Sequence, residues 1–102
     1  MIKELEEEFS GRGEVRGFTF KQVAANEHGY IYKVENLYYE VFKRTVRDTF
    51  DMDENKNRII TGKKVAYPSS NDFGVWAWTK FKLADAIYKL NQISEEKEVD
   101  IY

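Results

Sequence analysis

Residues Tyr30 to Val41 carry the pattern that most constrains the fold. Tyr30-Ile31-Tyr32-Lys33-Val34 and Leu37-Tyr38-Tyr39-Glu40-Val41 are two runs rich in aromatic and β-branched residues, separated by Glu35-Asn36. Such runs read as strands. A two-residue gap reads as a hairpin turn, and Asn36 suits the left-handed conformation that turn needs. In that register Val34 faces Leu37, Tyr32 faces Tyr39 and Tyr30 faces Val41, so six uncharged side chains share one face. The other face receives Ile31, Lys33, Tyr38, Glu40, Phe42 and Arg44, a mixed set. A slip of one residue would destroy this sorting.

The rest of the sheet is read outward from the hairpin. Glu14 to Val23 reads as a preceding strand, with Phe18 and Phe20 on one side, and Asn26 to Gly29 as the turn after it. The strand that starts at Leu37 runs on toward Phe50, Asp51 to Asn57 is a polar loop, and Arg58 to Tyr67 returns antiparallel, with Gly62 marking a bulge or a close approach. Pro68 to Asn71 breaks the chain. Phe73 to Trp78 reads either as a short strand or as a packed lead-in to a helix; if extended, it puts Trp76 and Trp78 on one side.

From an N-cap at Thr79, Leu83, Ala86, Ile87, Leu90 and Ile93 fall on one arc of a helix. Near the N-terminus, Ile2, Leu5 and Phe9 follow helical spacing, ended by Gly11 and Gly13. The expected fold is therefore α+β: an antiparallel meander of four to five strands, a C-terminal α-helix packed on its apolar hairpin face, and a short N-terminal helix. Residues 1–102 form one domain in this reading, with 1–13 as helix and Gly-rich turn and 94–102 as a charged tail.

Several chemistries are excluded by residue type. The chain has no Cys, so disulfides and thiolate zinc sites are absent, and one His makes a histidine metal centre a poor fit. No cofactor or metal is expected. Asp51 to Asn55 begins like a calcium loop, but Lys56 and Gly62 stand where Gly and Glu are needed. Gly62-Lys63 lacks the rest of a phosphate-binding loop. A catalytic His28 would need a partner nucleophile, but Cys is absent and no Ser sits in a nucleophile elbow, so it reads as an exposed turn residue. The carboxylate pairs Glu35 with Glu40 and Asp48 with Asp51 read as solvated residues, so no catalytic residue is assigned. Arg16-Gly17-Phe18-Thr19-Phe20 resembles the start of the base-stacking motif of RNA-recognition domains. That family puts a strand, a helix and a second strand before the motif, and too few residues precede Arg16 here. No apolar run approaches the ~20 residues of a bilayer span, and the acidic first residues form no secretory signal, so a cytoplasmic location is expected.

Two surfaces remain as candidates. Between residues 43 and 64, seven cations stand against four carboxylates, whereas both ends of the chain are acidic. Tyr38, Phe42, Lys43, Arg44, Arg47, Arg58, Lys63 and Lys64 would make a hairpin of interleaved aromatics and cations fit for nucleic acid. Trp76, Trp78, Phe81 and Tyr88 would make an aromatic surface for another protein chain or a second copy. The leading expectation is a non-enzymatic interaction domain that binds protein or itself. The first alternative is nucleic-acid binding through residues 38–64. The second is a small molecule held in a Trp-lined groove.

Overall fold

The strands divide between two sheets rather than joining one. The computed structural model describes residues 2–11 and 16–99, with side chains through Glu95. Its elements are β1 (Ile2–Lys3), β2 (Glu8–Ser10), β3 (Thr19–Ala25), β4 (Gly29–Val34), β5 (Tyr38–Lys43), β6 (Val46–Met52), β7 (Arg58–Val65), a 3-10 turn (Ser70–Asp72), β8 (Ala77–Lys80) and α1 (Leu83–Val99). An antiparallel five-stranded sheet runs in the order β2-β3-β4-β5-β8. A second sheet has the order β1-β7-β6, with β1 parallel and β6 antiparallel to β7. The chain passes from one sheet to the other at Arg44-Thr45, so the strand expected to reach Phe50 is two strands.

The β4–β5 hairpin exists, but its loop has three residues. Val34 pairs with Tyr38, Tyr32 with Glu40 and Tyr30 with Phe42. Glu35, not Asn36, takes the positive φ, at 50°. The strain this places on a non-glycine residue is offset by a double tie to β3. Glu35 N donates to the Thr19 carbonyl at 2.9 Å, and Thr19 N donates to Glu35 Oε1 at 2.6 Å. The shift leaves Leu37 exposed in the loop and turns Glu40 and Phe42 to the side of Tyr30 and Tyr32.

Both faces of the central strands are buried as a result. On one side Ile31 and Val41 pack under Ala86, Leu90 and Ile93 of α1. The helix thus docks on the expected face of β5, where Tyr39 and Val41 lie, but on the opposite face of β4, where it meets Ile31 instead of Tyr30, Tyr32 and Val34. A Cβ on Gly29 would lie 3.1 Å from Leu90 of the helix and 2.5 Å from the Phe42 carbonyl oxygen of the neighbouring strand β5. On the other side Phe20, Tyr30, Tyr32, Val34, Phe42, Val65 and Ala77 form an aromatic layer, joined by Leu5, Phe9, Tyr67 and Trp76. Phe9 stacks on Phe20 at 4.9 Å between ring centroids, and Tyr67 meets Phe42 edge-on at 4.8 Å.

No helix forms among the described residues of the first thirteen; this expectation is corrected. Residues 4–10 cross the aromatic layer in extended form. Tyr30 OH donates to Glu4 Oε1 at 3.1 Å, Tyr32 OH donates to the Glu6 carbonyl at 2.6 Å, and Phe9 pairs with Phe20 across β2 and β3. A two-turn helix whose C-terminal glutamates oppose its dipole cannot compete with an open strand edge and a layer that needs covering. At the other end α1 continues to Val99, through two thirds of the expected tail, and Thr79 lies in β8 rather than capping the helix.

The register has a direct test. Ile31→Ala should lower stability by about 2–5 kcal/mol through the cavity it leaves. Leu37→Ala should change it by less than about 0.5 kcal/mol, as expected for an exposed position. Urea unfolding of both variants reads the difference, and the reverse order would indicate a two-residue loop.

Candidate functional site

The two expected surfaces are rearranged by the split between sheets. Tyr38, Phe42 and Lys43 lie on β5, while Arg47, Arg58, Lys63 and Lys64 lie on β6 and β7 of the other sheet. Phe42 is 0% exposed and stacks inside the aromatic layer, which removes it as a base-stacking platform. Arg44 is engaged by Glu4 at 2.7 Å and Lys63 by Asp48 at 2.8 Å. The Arg58 guanidinium lies over the Phe50 ring at 3.9 Å. The continuous basic ribbon of residues 38–64 is therefore not formed. What the structure does bring together is Arg47 with Lys64, paired across β6 and β7, and Lys3, paired with Lys64 across β1.

The two tryptophans part company as well. Trp76 joins the aromatic layer at 6.2 Å from Phe42, whereas Trp78 sits on the helix face with Lys89 over its ring at 3.9 Å. Gly74, at φ +89°, lies in the turn before β8, and Trp76 precedes the strand, so strand alternation does not apply to the pair. No groove lined by both forms among the described residues. Phe81 and Tyr88 are 76% and 66% exposed, with Phe81 edge-on to Tyr38 at 6.5 Å.

Two features that the sequence reading did not single out dominate the surface. The first is an arm. From Phe50 to Thr61 every residue is exposed except the half-buried Asp53. Phe50, Met52, Ile59 and Ile60 all stand in water there. Asp53 closes the tip, accepting from Asn55 N at 2.9 Å and Asn57 N at 2.8 Å. The expected bulge is present: Thr49 pairs with Gly62 but Phe50 pairs with Ile60. The outer edge of β6 has no partner strand among the described residues. The protrusion shows in the radius of gyration, 15.4 Å, against about 13 Å for a tightly folded chain of this length.

The second is a cleft of about 1150 Å³ between the aromatic layer and the second sheet. Phe9, Tyr38, Tyr67, Glu40 and Thr79 line one side, and Lys3, Arg47 and Lys64 also reach it. Glu40 is buried and accepts a 2.5 Å hydrogen bond from Tyr67 OH on Oε1. Burial pushes the Glu40 carboxyl above its usual range, and the Tyr67 hydrogen bond partly holds it down. Burial, with the Glu40 charge beside it, pushes the Tyr67 phenol far above its usual range. The expectation that Glu40 is a solvated residue is corrected: the two-residue turn puts it on the mixed face, and the three-residue loop turns it inward. The signal that recovers it is the alternation Tyr38, Glu40, Phe42 set against the aromatics of β4. Comparison with protein-family models, curated proteins and solved structures gives no match to this chain. No described helix is long and apolar enough to cross a membrane.

The buried carboxyl makes stability depend on pH with a definite sign. A folded-state pKa above the ordinary value of 4.5 favours the folded chain below that value. That contribution fades as pH rises through the interval up to the folded-state value. Glu40→Gln abolishes the titration, so the variant should gain stability relative to the parent as pH rises from 4 to 8. Tyr67→Phe removes the compensating donor and should cost about 1.5–3 kcal/mol at neutral pH, the range for a hydrogen bond to a charged group. Chemical denaturation across pH measures both.

Proposed function

We propose that this chain is a protein-binding module that associates with a second copy of itself through the β6–β7 arm. The observation that carries the reading is the open edge of β6, seven residues long, on a hairpin whose apolar side chains Phe50, Met52, Ile59 and Ile60 stay exposed, with only the Arg58 guanidinium over Phe50 among the described residues. The other sheet ends are short, with three residues in β2 and four in β8. A two-stranded ribbon is marginal by itself and gains stability from further strands. Long edges are ordinarily blunted because they template pairing.

The β6 sequence is complementary to itself. Antiparallel pairing about a two-fold axis at Thr49 sets Val46 opposite Met52 of the second copy and Arg47 opposite its Asp51. Both pairs occur twice by symmetry, as an isologous interface requires. An axis at Asp48 would set that carboxylate against itself. An axis at Phe50 would put Asp48 opposite Met52 and carry Arg47 past the end of β6, whereas the axis at Thr49 leaves Asp48 opposite Phe50 but keeps Arg47 on Asp51. The favoured register joins the two ribbons into a four-stranded sheet, β7-β6-β6-β7, and places unlike charges across the seam.

Sedimentation velocity on the full chain should show a dimer at concentrations of about 100 µM and below, within the micromolar range of modest interfaces. Asp51→Arg would set like charges opposite one another at two places and should weaken association about tenfold or more. The swap Arg47→Asp with Asp51→Arg should restore it. A monomer throughout, or a swap that restores nothing, would count against this pairing.

A further inference from the structure

A row of three cations lies abreast on one face of the second sheet. Lys3 pairs with Lys64, and Lys64 pairs with Arg47. Paired residues share a face, and neighbouring strands are about 4.8 Å apart. Like charges directly opposite one another destabilise a sheet, so this arrangement calls for a counter-charge. Among the described residues neither Lys3 nor Lys64 has an ion-pair partner. Arg47 has the Trp76 ring at 6.0 Å and lies close enough to Asp72 to help lower that carboxyl. Glu4, which also lines the cleft, is taken up by Arg44 and Tyr30. Besides Glu4, the cleft lining holds two carboxylates, the exposed Glu6 and the buried Glu40, against three cations.

All three cations line the same cleft as the aromatic layer and the Glu40–Tyr67 pair. Glu40 Oε2 has no protein donor among the described residues, while Oε1 is held by Tyr67. The cleft therefore offers cations for an anion, flat rings for stacking, and a carboxylate oxygen for an N–H donor. Its volume of about 1150 Å³ lies just above the roughly 300–1,000 Å³ common for small-molecule sites. From this arrangement we infer that the cleft binds a phosphorylated small molecule carrying a flat heterocycle with N–H donors, the chemistry of a nucleoside monophosphate. The phosphate meets Lys3, Lys64 and Arg47. The ring lies against the aromatic wall, where stacking tolerates many ring types. An N–H group of the ring donates to Glu40. The burial that raises the Glu40 pKa also strengthens a hydrogen bond made there.

The inference does not depend on pairing through the arm. In the paired register Arg47 would meet Asp51 of the second copy, and Lys3 and Lys64 would still face the cleft. The test therefore uses the two lysines, both exposed, whose replacement leaves the core intact. Calorimetric titration of the full chain with AMP should give saturable binding. The double variant Lys3→Gln, Lys64→Gln should weaken it at least tenfold. Adenosine without the phosphate, and inorganic phosphate alone, should each bind at least tenfold more weakly than AMP. Glu40→Gln should weaken AMP while leaving inorganic phosphate unchanged, a split that loss of folding would not produce. Absence of AMP binding would overturn the inference, as would binding indifferent to the two lysines or phosphate binding as tight as AMP. A short single-stranded oligonucleotide that binds where AMP does not would overturn it in favour of a nucleic-acid surface.

Discussion

The centre of the five-stranded sheet is removed from water on both sides, and the remaining elements are arranged around that requirement. Ile31 and Val41 have no exposed surface on one face, and Tyr32 and Phe42 have none on the other. One helix can cover only one face. Ala86, Leu90 and Ile93 do so for the aliphatic side, where Leu90 lies 3.1 Å from the place a Cβ on Gly29 would occupy. The aromatic side is broader and is roofed piecewise, by residues 4–10, by Val65 at the end of β7 and Tyr67 beyond it, and by Trp76 before β8. Stacked and edge-on rings between 4.8 and 5.8 Å hold that roof to the sheet, in the geometries that aromatic quadrupoles favour.

A roof built from separate pieces leaves a seam, and the cleft is that seam. Glu40 reaches it because the three-residue loop turns Tyr38, Glu40 and Phe42 inward together. Burying a carboxylate is costly unless it is hydrogen-bonded. Tyr67 supplies one bond, and the opening beside it spares the second oxygen full burial. The two tyrosines nearest the N-terminal segment solve the same problem differently. Tyr30 and Tyr32 spend their hydroxyls on Glu4 and on the Glu6 carbonyl, which ties the extended segment down at two points.

Much of the fold is legible in the residues, and the failures share one physical cause. The turn at Asn26 to Gly29, the strands on either side of Glu35, the bulge at Gly62 and three of the five residues of the expected helix arc, Ala86, Leu90 and Ile93, follow from local chemistry, while Leu83 and Ile87 of that arc stay exposed. Local chemistry could not decide which of two nearly equivalent partners wins. Leu37 is a good strand residue, and only the bonds from Glu35 to Thr19, sixteen positions away, make it a loop residue. The spacing Ile2, Leu5, Phe9 fits a helix as well as it fits an extended segment stapled by Phe9. The outcome turns on the free edge of β3. Trp76 and Trp78 alternate only if the chain is straight, and the turn containing Gly74 ends that alternation before β8 begins. Of the candidate residues, Arg47 and Lys64 come together as read. Phe42 was lost to the core by the same register shift that brought Glu40 to the cleft.

The second sheet is fastened at one end only. Near Val65 it is joined to the aromatic layer, paired with β1 and closed over the cleft. Toward Asp53 it is a bare ribbon with apolar side chains on both strands. A ribbon fixed at one end could be made stable by shedding its apolar residues or by acquiring neighbours, and Phe50, Met52, Ile59 and Ile60 are inconsistent with the first course. Its charges point the same way, because Arg47 and Asp51 lie symmetrically about Thr49, where they match a copy of the same strand. The fixed end carries the opposite problem, three like charges held side by side, of which Arg47 has Asp72 nearby while Lys3 and Lys64 have no ion-pair partner among the described residues. Strand addition at the free edge and an anion at the fixed end would each supply what that end of the sheet lacks. They require no rearrangement of the layers between them.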